Sequence, residues 1–240
     1  MLKISKTKKK MNVFPSVLKD APFQFIETYN SLRTNILFAS VDKQCQKIVI
    51  TSSIPHEGKT TVAINLAITF SNSGSHVLLI DCDLRKPSIE KFLNIDIAAP
   101  GLTNALAGFS KLDDCIIHLD ELSLDVLPSG PVPPNPAYLL GCSKMTEIVE
   151  TLSNRYDYIL FDTPPVSLVT DAALLSKLSD GIIFVVRHNF TTIGEAQLAK
   201  TNLQNVGAPI VGTVLNAFNS EKGSKTSYGY HYKKYEYGYK

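Results

Sequence analysis

The chain has 240 residues, 44% of them apolar and 19% charged, which suits one large α/β domain and excludes a wholly disordered or collagen-like polypeptide. Its longer apolar stretches, such as Ile182–Val186 and Ala63–Phe70, fall short of the roughly 18 residues a bilayer span requires, and the opening MLKISKTKKKMNVF has no apolar core or cleavage site, so a cytosolic location is expected. The net charge of +2 conceals basic ends: residues 1–10 carry +5 and residues 219–240 carry +3, leaving −6 between them.

These charge runs suit solvated tails or contact with an anionic lipid or acidic partner, and give little support to nucleic-acid binding. Cys45, Cys82, Cys115 and Cys142 lie far apart with no CxxC pair, which argues against zinc, iron–sulfur and disulfide frameworks.

In chain order, residues 1–20 form a basic N-terminal segment, and Pro22–Ala39 spaces apolar residues at 26, 29, 32, 36 and 37 as an amphipathic helix does. Lys47–Ser53 is a β-branched strand, followed by a helix from Lys59 to Asn72. The strand His76–Asp81 ends on a carboxylate. Then come a strand at Leu124–Gly130, a helix at Ser143–Asn154, and the strand Tyr156–Asp162, which ends on another carboxylate. A strand at Gly181–Arg187, a helix at Ile193–Val206 and a strand at Pro209–Phe218 complete the series. Continuous apolar strands alternating with helices indicate a doubly wound, mainly parallel α/β sheet of five or more strands, with residues 21–218 as one domain. Residues 219–240 contain no Val, Ile, Leu or Met and are expected to be a flexible, disordered tail.

The first βα turn reads SSIPHEGKTT, residues 52–61. A phosphate loop of the form G-x-x-x-x-G-K-[ST] wraps phosphates in backbone N–H groups, neutralises them with Lys and offers a hydroxyl to Mg²⁺. Gly58, Lys59 and Thr60 match, and Ser53 stands where the first glycine would be. Asp162 in LFDTPP and the pair Asp81 and Asp83 in VLLIDCDLRKP stand at carboxyl ends of strands, where open α/β sheets bind ligands. A strand-end Asp also serves as a turn or cap residue; three of them beside a phosphate loop favour a metal and phosphoryl site.

SSIPHEGKTT, VLLIDCDLRKP, ILFDTPP and LPSGPVPPNP (127–136) together resemble the bacterial tyrosine kinases, or BY-kinases, of capsule and exopolysaccharide synthesis, in their stand-alone Gram-positive form. The likeness covers about residues 22–240. It implies ATP and Mg²⁺ as cofactors, with Lys59 on the phosphates and Thr60, Asp81 and Asp162 handling the metal. Asp81 is implicated in activating the tyrosine hydroxyl, and Asp83 is also functional. Pro55, His56, Glu57, Gly58, Lys59, Thr60 and Thr61 would line the ATP site, with no catalytic role given to His56 or Glu57. Asn216 is a candidate for adenine recognition, or a turn residue. The resemblance further implies a transmembrane adaptor that activates the kinase at the inner face of the membrane, a cognate tyrosine phosphatase and a ring-shaped homo-oligomer. For that ring the family's Glu-x-x-Arg-x-x-Arg helix is matched by Glu27 and Arg33 but interrupted by Asn30, and the two charges suit an ordinary solvated surface equally well.

Six of the ten tyrosines, Tyr228, Tyr230, Tyr232, Tyr235, Tyr237 and Tyr239, fall in the last 13 residues, spaced by two or three. Such phenols are suited to be phosphoacceptors, and alternatively to stack on nucleic-acid bases. The reading is a Mg·ATP-dependent protein-tyrosine kinase that autophosphorylates this cluster. The competing one is an ATPase switch of the partitioning or division-site type, against which stand the lack of an additional early lysine in the loop and the tyrosine tail.

Overall fold

The structure, a computed structural model, describes residues 21–39, 45–168 and 170–218. The expected N-terminal segment and tyrosine tail lie outside these residues. The chain runs α1 (Phe23–Ala39), β1 (Lys47–Ser52), α2 (Lys59–Asn72), β2 (Val77–Asp81), α3 (Ile89–Leu93), α4 (Leu102–Ala107), α5 (Leu112–Cys115), β3 (Ile117–Leu119), β4 (Leu124–Leu127), α6 (Pro136–Leu140), α7 (Ser143–Ser153), β5 (Tyr158–Asp162), α8 (Asp171–Ser176), β6 (Gly181–Arg187), α9 (Ile193–Asn205) and β7 (Ile210–Asn216).

Seven strands form one sheet in the order β3-β4-β2-β5-β1-β6-β7, parallel except for the β3–β4 pair. Successive side chains of a strand point to opposite faces, and here both faces are buried. Val49, Leu78, Phe161 and Phe184 pack into one apolar layer with α4, α7, α8 and α9, while Ile48, Ile50, Leu79, Leu160 and Val185 pack into the other with α1 and α2. Strands covered on both sides need apolar residues at every position, which is why they read as unbroken runs.

The strand order positions the chemistry. β1 lies between β5 and β6, and β5 lies between β1 and β2, so Asp81 and Asp162 are register partners on neighbouring strands, with Ile50 opposite Asp162 on β1. The carboxyl ends of three strands thus meet at the loop that follows β1.

Some local details differ from expectation. β3 is an antiparallel edge strand of three residues, too short to show a period, and α3 to α6 are helices of four to six residues with the same handicap. The strand expected to reach Gly130 stops at Leu127, ahead of Pro128, which has no N–H for a ladder. α1 buries Tyr29 and Ile36, but Leu37, expected on its apolar face, is exposed.

Candidate active site

The loop after β1 closes on Gly58, whose φ of +88° favours glycine. A Cβ at Gly58 would also stand 2.1 Å from Asn216 Nδ2. Two independent constraints therefore select glycine here. Asn216, at the end of β7, donates from that Nδ2 to the carbonyl of Glu57 (2.8 Å), and its Oδ1 accepts the N–H of Ala217 (2.9 Å). Glu57 is fully buried: Ile54 N–H donates to one carboxylate oxygen (2.7 Å) and the Thr191 hydroxyl to the other. Arg187 donates to the carbonyl of His56 (3.0 Å). Pro55 and His56 are exposed, and Thr61 is half-buried at the start of α2. Behind the loop, Val166 and Ser167 donate backbone N–H groups to the carbonyls of Ser52 and Ser53, tying the segment after β5 to it.

Lys59 projects among carboxylates. Its ammonium lies 3.1 Å from Asp83 Oδ2 and 3.4 Å from Asp162 Oδ1. The Thr60 hydroxyl donates to Asp162 Oδ2 (2.6 Å) and lies 3.2 Å from the hydroxyl of Ser88. Asp81 is held from three sides: Asp83 N–H donates to Oδ1 (3.0 Å), and the N–H groups of Ser88 and Ile89 donate to Oδ2 (3.1 Å each). Three carboxylates around one ammonium leave a formal excess of negative charge in a dry place. Burial, then Asp162 and Glu90, push the Asp81 carboxyl well above the ordinary carboxylate range. Burial also raises Asp162, against the pull of Lys59 and the Thr60 hydrogen bond. Burial alone would lower the Lys59 ammonium, but Asp162, Asp83 and Asp81 outweigh it, and the net shift is upward.

Among the described residues no three His, Cys, Asp or Glu side chains converge as a ready-made metal cage. The donors are a hydroxyl and separately held carboxylates, all hard oxygens. Such an open site fits Mg²⁺, which keeps several waters and takes one or two carboxylates together with substrate phosphates.

An AAA domain profile matches residues 45–207. Over 205 residues the chain is 41% identical to tyrosine-protein kinase YwqD of Bacillus subtilis (strain 168), covering 85% of each protein. It is 33% identical to the putative tyrosine-protein kinase CapB of Staphylococcus aureus, over 94% of this chain and 98% of that one. The chain belongs to the bacterial tyrosine-protein kinases. The kinase domain of the Escherichia coli tyrosine kinase ETK superposes with a TM-score of 0.84 at 29% identity, covering 92% of this chain and 87% of that one. The septum site-determining protein MinD of Pyrococcus horikoshii, complexed with Mg-ADP, matches less well, at 0.63 and 27% over 78% of this chain and 76% of that one. The division-site ATPases are thus distant relatives sharing the phosphate-loop fold, and the ATPase-switch alternative is set aside. The chain is a nucleotide-using tyrosine-protein kinase.

In this bacterial tyrosine kinase Gly58, Lys59, Thr60, Asp81, Asp83 and Asp162 come together, and Asn216 and Glu57 brace the loop that carries them. Glu27 accepts a hydrogen bond from Asn30 of its own helix (2.8 Å), and the buried Nε of Arg33 has no hydrogen-bond partner. The six tail tyrosines lie outside the described residues. Several contributors escaped the sequence reading: Ser88 against Thr60; Arg85, bidentate on the buried Asp171 (2.9 and 3.1 Å); and Glu90, which accepts from both the N–H and the hydroxyl of Ser129 (3.0 Å each). Arg85 had a local signal, since it follows the paired aspartates. Asp171, 86 residues away, had none. No helix among the described residues is long and apolar enough to cross a membrane.

Proposed function

We propose that the site transfers the γ-phosphoryl group of ATP to tyrosines 228, 230, 232, 235, 237 and 239 of the chain's own tail. The observation that carries this reading is the Lys59 ammonium suspended between Asp83 and Asp162 at the mouth of the Gly58 loop. Lys59 and the backbone N–H groups around Gly58 hold the phosphates, and ATP exchanges its oxygens for the carboxylates that Lys59 touches in the free protein. Thr60, Asp162 and Asp81 would hold Mg²⁺, which when bound supplies positive charge against the phosphates. The phenol oxygen forms its bond to the γ-phosphorus as the bond to the β–γ bridging oxygen breaks, and the phenolic proton passes to a carboxylate.

Two aspartates compete for that proton, and their surroundings favour Asp83. Both oxygens of Asp81 are occupied by backbone N–H groups and the residue is fully buried. Asp83 keeps some exposure and pairs with Lys59, which arriving phosphates draw away. Asp81 is then the fixed post that sets the DLRKPS turn, and Asp83 orients the phenol and accepts its proton.

The kinase relatives, together with the family resemblance, support a role in capsular or exopolysaccharide synthesis. The family resemblance extends this reading to a transmembrane adaptor that brings the chain to the inner face of the membrane, a cognate phosphatase and assembly into a ring through Glu27 and Arg33. Incubation with Mg·ATP, with and without the adaptor's cytoplasmic segment, followed by mass spectrometry tests the central claim. Phosphate should appear on residues 228–239 and disappear in Lys59→Met. ATP hydrolysis with no phosphotyrosine, or phosphate confined to other residues, overturns it.

A further inference from the structure

The surface carries an apolar groove of about 330 Å³, walled by Phe109, Pro131, Val132, Pro133, Tyr138 and Leu139. Phe109 is 83% exposed, Tyr138 72% and Val132 61%, so large apolar side chains stand open to water around one concavity. Its lining includes no charged residue. The volume lies at the low end for ligand pockets and suits one aromatic side chain.

The groove is built rather than incidental. The N–H groups of Leu102 and Thr103 donate to the carbonyls of Pro128 and Ser129 (2.8 and 2.9 Å), clamping α4 to the proline-rich segment. Gly101 and Gly130 approach so closely that a Cβ at Gly101 would fall 2.3 Å from Gly130 N. The same segment is tied to the reaction centre. Ser129 hangs on Glu90 of α3, and Ser88, immediately before α3, touches Thr60. The wall of the groove begins two residues after Ser129.

We propose that this groove is a docking subsite for an unmodified tyrosine ring of the tail segment Ser227–Lys240, which holds one tyrosine while a neighbour enters the phosphoryl site. The inference deepens the reading of the tail as substrate and rests on it. Three observations select this occupant. The groove segment follows β4 and the tail follows β7; every strand from β4 to β7 across the sheet is parallel, so both leave the same edge. Five inter-strand steps amount to about 24 Å, against a reach of at most about 75 Å for 22 extended residues. The tail is basic and the phosphoryl site acidic, so their charges are complementary. Tyrosines at intervals of two or three allow each docked ring to present another, which gives a function to the number of tyrosines as well as to their presence. A phosphotyrosine brings about −1.5 to −2 charge into an uncharged groove, so each turnover removes a docking ring and the reaction slows itself.

The test uses peptides of residues 227–240 that keep Tyr235 and carry Phe or Ala at the other five tyrosines. Phe retains the ring without the reactive hydroxyl. With the full-length protein, the Phe peptide should show a KM within about twofold of the native peptide and the Ala peptide a KM about tenfold higher, the size expected for one aromatic anchor. Phe109→Ala with Tyr138→Ala should erase the difference while affinity for ATP, read by calorimetry, stays unchanged; Val132→Asp, at an exposed position, should do the same without opening the core. Binding of an all-Phe peptide to nucleotide-free protein, followed by fluorescence anisotropy, needs no phosphoryl transfer and should weaken in the same variants. Equal KM values for the Phe and Ala peptides, or binding indifferent to the groove substitutions, overturn the docking subsite. A change in oligomer size with no change in KM overturns it too, by giving the groove to another copy of the chain. Groove-dependent binding with no phosphate on any peptide would instead sink the kinase reading of the tail.

Discussion

The two sides of the phosphate loop are built on opposite principles. Toward β6 and β7, Glu57, Thr191, Asn216 and the carbonyl of His56 form polar contacts in which each group has a geometric partner. Toward β2 and β5, Asp83 and Asp162 share the ammonium of Lys59, and the Asp81 and Asp162 carboxyls lie above their usual range mainly because burial disfavours their charge. One side holds the loop in shape; the other stores charge for a ligand that the protein has yet to bind. The contrast teaches where stability and activity should part. Substitutions on the bracing side should cost stability first, whereas neutralising Asp162 on the charged side should relieve the fold while ending the chemistry.

The largest effects should come from the charged side. Lys59→Met should lower phosphotransfer by about 10²–10³-fold, as expected for loss of a main electrostatic contact to the transferring group. The sequence alone suggests an intact fold for this variant, because no core volume is lost. The ion pairs to Asp83 and Asp162 argue instead for a loss of about 1–3 kcal/mol, since buried acceptors lose their partner. Asp162→Asn should lose activity to a similar extent yet gain about 1–2 kcal/mol, because an amide can face Lys59 with its oxygen and Thr60 with its nitrogen. Denaturant melts and a phosphotyrosine assay on the same samples decide the matter. A loss of stability in Asp162→Asn would erase the distinction between the two sides.

Next in size is Gly58→Ala. The positive φ and the 2.1 Å approach to Asn216 together should cost about 2–4 kcal/mol, and nucleotide affinity should fall with them, as read by calorimetry. Asn216→Ala by itself should cost about 1–2 kcal/mol for two lost hydrogen bonds, one of them exposed. It should also make room beside residue 58, so the double variant should be more stable than the sum of the single losses by about 0.5–2 kcal/mol. Additivity within error would mean that the backbone angle alone selects glycine.

The charged side was the more legible in the sequence. Asp81 and Asp162 end buried strands, Asp83 follows two residues on, and Gly58-Lys59-Thr60 opens a helix, so each carries a local signal that topology then assembles. The main strands were readable for the same reason, since β1, β2, β5 and β6 are buried runs. The bracing side was largely illegible. Glu57 finds Thr191 at a distance of 134 residues and Asn216 finds Glu57 at 159, and a pairing across such separations leaves no period or spacing in the text. The Glu57 side chain turns inward as a clamp, and no local signal announces that role. β3 and the short helices escaped because three to six residues cannot display a repeat.

The smallest effect is also the most direct measure of the stored charge. In protein free of nucleotide and metal, the Asp162 carboxyl sits above its ordinary 3.8 because burial penalises the anion. The folded state therefore holds this proton more tightly than the unfolded chain does. Its contribution favours folding below 3.8 and is lost as pH climbs from there through the folded value, the reverse of a salt-bridged aspartate whose folded value is lowered. Asp162→Asn deletes that dependence while leaving the other titrating groups in place. Thermal melts in the presence of a chelator should then show the parent losing stability relative to the variant as pH rises above 3.8, with a slope below about 1.4 kcal/mol per pH unit, the limit for one proton. Parallel curves would mean that Lys59 and Thr60 already compensate Asp162 in full, and the charged side would be no more strained than the bracing side.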